Sequence, residues 1–387
     1  MKHICMLAYT FYESDNRVMR YAEALAKRGD RVDVIALRAK DAPASEILRG
    51  VQVYRIQGRE INEKYRHSYA FRLVRFLINS AWFISKQHFR SPYHLVHVHS
   101  VPDFEVFAAL VPKIGGAGII LDIHDIVPEF YISKFNKSES SLLAAALRLA
   151  EKLSIRFSDH VIISNHLWRD VLLSRSSSPE KCSVIMNYPD SSIFRYTKRD
   201  RQDGKFVMMY PGTLSWHQGL DIAVKAFSLV QDKMPTAEFH IYGSGPARDA
   251  IADLVENLDL GNRVLLKDSR PIYEIARIMA EADLGIVPKR NDGFGGDAFS
   301  TKTLEFMSLG VPIVLSKTRV DSYYFNDDVV RFFEPGNESD LAGAMLDLYE
   351  NRQRRERQAA AALQFVEKFK WEGKKEVYFD LVDSLCP

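Results

Sequence analysis

The sequence predicts an α/β protein made of two doubly wound parallel-sheet domains. Three observations predict it: the length, the alternation of short apolar strands with amphipathic segments, and the restart of that alternation in the second half. At 387 residues the chain is long for one domain, and two is the natural expectation. Strands rich in Val and Ile that alternate with helical patterns argue for parallel sheets.

The first strand is HICMLAY. NRVMRYAEALAKRG follows as a helix, with Val18, Tyr21, Ala22, Leu25 and Ala26 at helical spacing and Gly29 as its stop. RVDVIAL, LVHVHS, GIILDIHD and HVIISN are the next strands, with helix-like segments between them. NYPDSSIFRYTKRDRQDG, residues 187–204, is polar and turn-rich and reads as a linker. The second half begins again with KFVMMYPG, a helix through GLDIAVKAFSLVQ, and the strands EFHIYGSG, RVLLK, ADLGIVP and VPIVLS. A charged helical tail ends the chain. The expected domains are residues 1–190 and 191–369, with a terminal helix over about 370–387 packing back on the first. Two such domains would face each other across a cleft, with ligands at the carboxyl ends of their strands.

Composition narrows the function. Hydrophobic residues make up 47% and aromatic residues 11%, enough for two cores, and the formal charge of +2 argues against a strongly basic nucleic-acid protein. Three cysteines, Cys5, Cys182 and Cys386, lie far apart and fit a reducing compartment, so a cytoplasmic location is expected. The N-terminal apolar run is too short for a signal peptide, and no uncharged run reaches the ~18 residues of a spanning helix.

The chemistry concentrates in DAFSTKTLEFMSLGVPIVLS, residues 297–316. A lysine at a helix start is unfavourable unless an anion arrives, because that end already carries partial positive charge. With the helix beginning near Ser300, the backbone N–H groups of Ser300, Thr301 and Lys302 form an anion site to which Lys302 adds a full charge. The anion is most simply a diphosphate; the alternative is a capped, exposed helix with a solvated lysine. Upstream, Gly212 follows a strand and Gly219 opens a helix, while Gly243 and Gly245 make a second tight strand-to-helix turn. Gly243 to Arg248 is a weak G-x-G-x-x pattern, which does not by itself indicate dehydrogenase chemistry.

These motifs carry a resemblance. PGTLSWHQGLD, HIYGSGP, LKDSRPIYEIARIMAEADLGIVP and DAFSTKTLEFMSLGVPIVLS resemble the donor-binding domain of retaining glycosyltransferase family 4, whose architecture of two Rossmann-like domains is called GT-B. NRVMRYAEALAKRGDRV, LVHVHSVPDFEVFAAL and LDIHDIVPE are similar, more loosely, to its N-terminal domain. The nearest branch assembles bacterial surface and exopolysaccharides. The resemblance places the family's Glu-x7-Glu on Asp297 and Glu305, the first toward the transferred sugar and the second toward the nucleotide ribose. The family's diphosphate-binding Arg and Lys fall on Thr213 and Gln218, both uncharged. Lys302 is the nearest replacement cation, with Lys289 and Arg290 in reserve. The implied donor site is Gly212, Thr213, Gln218, Gly243, Arg270, Ser300, Thr301, Lys302 and Glu305. His124, Asp297 and Lys302 are the implied catalytic residues. His124 either faces the sugar or is a packed histidine tied to Asp122 or Asp125. His97 and His99 read as core-edge residues. Asn16 and Arg17 stand where the family carries its acceptor loop, or they and Asp15 merely cap the first helix.

The implied co-substrate is a UDP- or GDP-sugar, and the acceptor a glycan or polyprenyl-diphosphate-linked saccharide. No Asp-x-Asp occurs in the chain, and Lys302 with its helix start can neutralise charge, so no metal or other cofactor is expected. A GT-B-fold nucleotide-sugar epimerase and a non-catalytic sugar-nucleotide-binding subunit are the other readings. Residues 64–102 contain no Asp or Glu. Over 64–90, Arg72, Arg75, Asn79, Lys86 and Arg90 fall on one helical face, while Leu73, Val74, Leu77, Ile78, Ala81 and Ile84 fall elsewhere. That pattern fits a peripheral helix on an anionic membrane surface, or a core helix with a solvated basic side.

Overall fold

The computed structural model describes residues 1–59, 66–135, 141–199 and 201–386. It divides into two compact units, Met1–Asn187 with Lys375–Pro387, and Tyr188–Lys374. Each contains one predominantly or wholly parallel sheet, which is the GT-B plan of two α/β domains.

In the first unit the strands are β1 (His3–Ala8), β2 (Arg31–Arg38), β3 (Ser45–Leu48), β4 (Val51–Gly58), β5 (Leu95–His99), β6 (Gly118–Ile123), β7 (His160–Ile163) and β8 (Cys182–Val184). Their order is β3-β4-β2-β1-β5-β6-β7-β8. All neighbours are parallel except β3 and β4. β1, β5, β6 and β7 are buried throughout, as strands covered on both faces must be. The chain winds outward from β1 and then returns to β5, so the strand order reverses between β1 and β5. Side chains at the carboxyl ends of those strands therefore border a crevice.

The second unit repeats the plan with β9 (Phe206–Pro211), β10 (Ala237–Tyr242), β11 (Val264–Lys267), β12 (Leu284–Val287), β13 (Ile313–Ser316) and β14 (Arg331–Phe333). The order is β11-β10-β9-β12-β13-β14, all parallel, and here the reversal falls between β9 and β12. One face packs Tyr210, Phe227, Phe239 and Met345, the other Leu304, Phe306, Met307 and Phe325. The stretch read as a linker is tied to this unit, because Arg199 and Arg201 both pair with Asp283.

The sequence reading did not name β3, β4, β8 or β14. β4 hides because Arg55 and Gln57 face inward where apolar residues are expected; Arg55 is buried against Glu13 and Glu46. β8 and β14 are three residues each, too short to show a period. The helix Trp371–Leu385 lies against the first sheet, with the Tyr378 hydroxyl 2.9 Å from His97 Nδ1. Gly118 has no room for a side chain there: a Cβ would sit 2.4 Å from the Leu385 carbonyl oxygen.

The helix Arg66–Arg90 occupies the acid-free segment; Lys64, Tyr65 and the side chain of Arg66 lie outside the described residues. Its apolar residues do not form one set. Leu73, Phe76 and Ile84 are buried, while Val74 and Ile78 are exposed. Asn79, expected on the basic face, is half-buried and donates to Gln57 Oε1 at 3.4 Å. Among the described residues no helix is long and apolar enough to cross a membrane.

Candidate active site

In the second unit two loops flank the reversal between β9 and β12. The first, Gly212–Gly219, leaves β9; the second, residues 288–300, leaves β12 and leads into the helix Thr301–Ser308. Backbone contact fixes them together. Gly219 is left-handed, with φ of 64°, and a Cβ there would meet the Pro288 carbonyl oxygen at 2.0 Å. Arg290 N–H donates to the His217 carbonyl at 3.0 Å, and His217 Nδ1 lies 2.7 Å from Asp292 Oδ2. The turn after β10 is equally close: a Cβ on Gly243 would stand 1.8 Å from the Gly212 carbonyl oxygen. Arg248 stabilises that turn by donating to the Gly243 carbonyl at 2.8 Å.

Lys302 extends from the start of its helix to Gly212. A Cβ on Gly212 would be 2.5 Å from Lys302 Cε and 3.1 Å from its Nζ, and the glycine has φ of 133°. Only glycine leaves that position open for the ammonium. Nζ sits 5.1 Å from the centroid of the Tyr210 ring and 3.4 Å from Gln218 Oε1. Gln218 Oε1 is in turn 3.0 Å from the Tyr210 hydroxyl, which also lies 2.9 Å from the Thr213 carbonyl oxygen. Burial lowers the Lys302 pKa to about 8; Glu305 opposes the shift and Lys289 adds to it. Ser300, the N-cap, makes no side-chain capping bond, and its buried Oγ has no hydrogen-bond partner. The helix start therefore combines a hydroxyl without a hydrogen-bond partner with an ammonium whose pKa burial lowers. That place suits an oxyanion.

Other expected members of the site are distributed unevenly. Thr301 is half-buried beside Lys302, Glu305 lies one turn on, and Thr213 is exposed. Arg270 is exposed after β11, 3.5 Å from Glu274. Asp297 is gripped by Arg319 through both carboxylate oxygens, Nε donating at 2.6 Å. The sequence reading missed Arg319; it lies 22 residues on, and no local pattern ties it to Asp297. The two reserve cations are committed elsewhere. Lys289 is buried, 2.8 Å from Asp321 Oδ2, and donates to the Ala298 carbonyl at 2.7 Å, which braces the loop before the helix. Arg290 pairs with Asp221 at 2.6 Å and stacks 3.5 Å over Trp216.

In the first unit the ends of β5 and β6 bring His97, His99, Asp122 and His124 together. Arg17, from the helix Asn16–Arg28, clamps fully buried Asp122 with Nε at 2.7 Å and Nη2 at 2.6 Å. It also donates to Asn187 Oδ1 at 2.9 Å and to the Ile185 carbonyl at 2.8 Å. Arg17 is thus an internal clamp and does not point to an acceptor. Asp15 caps the helix, accepting from the Arg17 and Val18 N–H groups, and Asn16 is exposed beside it. His124 Nε2 lies 3.3 Å from Asp122 Oδ2 and 3.2 Å from His99 Nδ1, so the packed arrangement with Asp122 is present.

His97 and His99 are not at the core's edge but fully inside it. Burial holds both below the usual histidine range. Burial would raise Asp122, but Arg17 and His124 outweigh it and keep the carboxylate well below its usual range. Donor atoms of His97, His99 and Asp122 approach within 4.8 Å of one another, a possible cation site among the described residues. Arg17 already supplies the cation there.

Comparison with known proteins decides the family. Residues 14–187 match the family described as glycosyl transferase 4-like domain, and residues 195–365 that described as glycosyl transferases group 1. The chain belongs to glycosyltransferase family 4. This family 4 glycosyltransferase is 23% identical to an uncharacterized glycosyltransferase of Methanocaldococcus jannaschii, over 76% of this chain and 74% of that one. It is 22% identical to the amylovoran biosynthesis glycosyltransferase AmsK of Erwinia amylovora, over 47% and 45%. The chain therefore spans less than half of the latter. Among solved structures, sucrose-phosphate synthase of Thermosynechococcus elongatus superposes with a TM-score of 0.81 at 17% identity, covering 99% of this chain and 100% of that one. Anabaena HepE, solved with UDP-glucose, gives 0.75 at 16%, with the same coverage. These likenesses establish the GT-B fold. The family domains and the relatives named glycosyltransferases support a transferase.

Proposed function

We propose that this glycosyltransferase moves a sugar from a nucleotide diphosphate donor, a UDP- or GDP-sugar, to a glycan or polyprenyl-diphosphate-linked acceptor in bacterial polysaccharide assembly. The observation that carries the donor is the setting of Lys302: a half-buried ammonium in the first turn of its helix, against Gly212 and with its pKa lowered by burial. Nucleotide sugars supply the anion such a place requires, and HepE was solved with one. The relation to AmsK supports a polysaccharide product.

In this reading the C1–O bond to the diphosphate breaks as the acceptor hydroxyl oxygen bonds to C1 from the same face, retaining configuration. The departing phosphate oxygen accepts the acceptor's proton, so no protein base is required. Lys302 and the helix N–H groups stabilise the charge that develops on the diphosphate. Glu305 binds the ribose hydroxyls, and Asp297 and His124 orient the sugar. Charge neutralisation by Lys302 takes the place of a metal. The second unit is the donor-binding domain and the first the acceptor-binding one.

A thermal-shift panel of nucleotide sugars tests the donor, because a ligand that binds only the folded state raises Tm. A UDP- or GDP-sugar should raise it, and free UDP or GDP should do so as well. No shift with any nucleotide sugar, together with no donor turnover, would overturn the proposal.

A further inference from the structure

We infer that the first unit carries an interfacial face, built from three elements, that seats on an anionic phospholipid bilayer. The inference rests on the proposed function only for the nature of the acceptor; the surface itself is argued from exposure and charge.

The helix Arg66–Arg90 has two apolar sides. Leu73, Phe76 and Ile84 are buried, as a domain helix requires. On the opposite side Phe71, Val74, Ile78, Trp82 and Phe89 are exposed, Trp82 by 63% and Phe89 by 79%. At 3.6 residues per turn these five fall within roughly 80° of arc, a line and not a scatter. Exposed Arg75 and Lys86 flank it, and the Lys86 ammonium lies 4.7 Å over the Trp82 ring.

The neighbouring elements continue the pattern. The helix packs against residues 103–114, which in turn pack against the helix Leu142–Phe157. Leu110 and Ile114 are exposed on the first of these. Leu142, Leu149 and Leu153 share one outward face of the second, with Leu142 91% exposed. Lys152 and Arg156 lie among them, and Lys113 is paired with exposed Asp159, just past that helix. The acids of these three elements are Asp103, Glu105 and Glu151, all buried.

Contiguous apolar surface rimmed by polar residues marks an interaction site. The charge identifies the occupant. A second copy of the chain docked on this face about a two-fold axis would bring basic rim against basic rim. An anionic bilayer instead accepts the aromatic and leucine side chains at its headgroup boundary and attracts every cation. Helices in parallel α/β units run against the strands, so their N-terminal ends lie at the carboxyl edge of the sheet, where ligands bind. Phe71 and Leu142 are at those ends. A lipid-linked acceptor would meet the protein at the same level.

Flotation or cosedimentation of the full chain with phosphatidylcholine vesicles, with and without phosphatidylglycerol, tests this at low and high salt. The chain should bind the anionic vesicles and release at high salt. Each cation near a membrane contributes about fivefold in partition, so combined Arg75→Glu, Lys86→Glu and Arg90→Glu should lower binding at least a hundredfold. Ile78→Glu with Trp82→Glu, and separately Leu149→Glu with Leu153→Glu, should each lower it at least tenfold. All these residues are exposed, so Tm and the UDP- or GDP-induced thermal shift should stay at the unmutated values. That second readout separates failure of the surface from failure of the donor reading. Absence of binding to anionic vesicles at low salt overturns the inference, and so does binding that neither apolar pair affects. A dimer seen by sedimentation velocity and abolished by Trp82→Glu would also overturn it, by assigning the face to self-association.

Discussion

Replacing Lys302 with Met should make the protein more stable and a poorer ligand binder at once. In the folded chain the ammonium titrates near pH 8, against 10.5 for an ordinary lysine, because burial disfavours its charge. The unfolded chain therefore holds more protons between those values, and stability rises as pH climbs from about 8 to 10.5. At pH 7 both states are protonated, and the full penalty of burying the charge is present. At about 1.4 kcal/mol per tenfold change the fall in pKa corresponds to at most ~3 kcal/mol, and partial solvent access reduces this to about 2 kcal/mol. Lys302→Met removes the penalty, so urea denaturation should show a gain of about 2 kcal/mol at pH 7 that shrinks toward pH 10.5. The same side chain is proposed to meet the diphosphate. Losing one charged hydrogen bond costs roughly 1.5–3 kcal/mol, so the Kd for the nucleotide diphosphate should rise about 10- to 150-fold. Wild-type affinity should also fall about tenfold per pH unit from about pH 8 until that 10- to 150-fold is spent, with proton uptake on binding confined to about pH 8–10; the variant should show neither. Calorimetric titrations in two buffers of different ionisation enthalpy measure both effects. A Kd within threefold of wild type, or a wild-type affinity that is flat from pH 7 to about 9.5, would refute the assignment of Lys302 to the diphosphate.

Four further outcomes follow from the same geometry. Asp297→Ala should lower kcat more than donor affinity, Glu305→Ala should mainly weaken donor binding, and Arg319→Ala should follow Asp297→Ala with a smaller effect; steady-state kinetics beside donor titrations separate them. Turnover should survive EDTA, and activity lost to the chelator and restored by magnesium or manganese would contradict the metal-free reading. Gly243→Ala forces a Cβ onto the Gly212 carbonyl and should cost at least about 2–3 kcal/mol of stability, whereas Gly212→Ala displaces the Lys302 head and should reduce nucleotide affinity as well, a split readable by denaturation and calorimetry. Burial without any hydrogen-bond partner raises Glu105 to about 9; stability that is full below about pH 4.5 is lost as pH rises through 9, so Glu105→Gln should gain on the order of 2–4 kcal/mol over wild type between pH 6 and 9.

What the sequence revealed and what it concealed divide along a physical line. Signals carried by neighbours in the chain were legible. Apolar runs marked the fully buried strands, glycines marked the turns where backbone approaches backbone, and a lysine set against its own helix dipole marked the site proposed to take an anion. Signals that depend on partners far along the chain were not. Arg17 looks like a solvent-facing helix-start residue until Asp122, 105 positions away, takes its guanidinium. Asp297 looks uncommitted until Arg319 is folded against it. β4 failed to read as a strand because its inward Arg55 is neutralised by Glu13 and Glu46 from other elements.

The same distant pairings leave Lys302 as the cation for the proposed donor site. By position alone Lys289, Arg290 and Lys302 were all eligible. Lys289 cannot leave Asp321 without stranding a buried carboxylate, and truncating one member of such a pair typically costs 3–5 kcal/mol. Arg290 is paired to Asp221 and covered on one face by Trp216. At Lys302, by contrast with these ion pairs, the near neighbours of the ammonium are Gly212, Gln218 and the Tyr210 ring, and burial depresses its pKa. An ammonium held in that state lacks compensation in the ligand-free protein, and an arriving diphosphate supplies it. The folding cost carried by Lys302 is therefore the converse of its contribution to binding, which is why stability and affinity should move in opposite directions when it is removed.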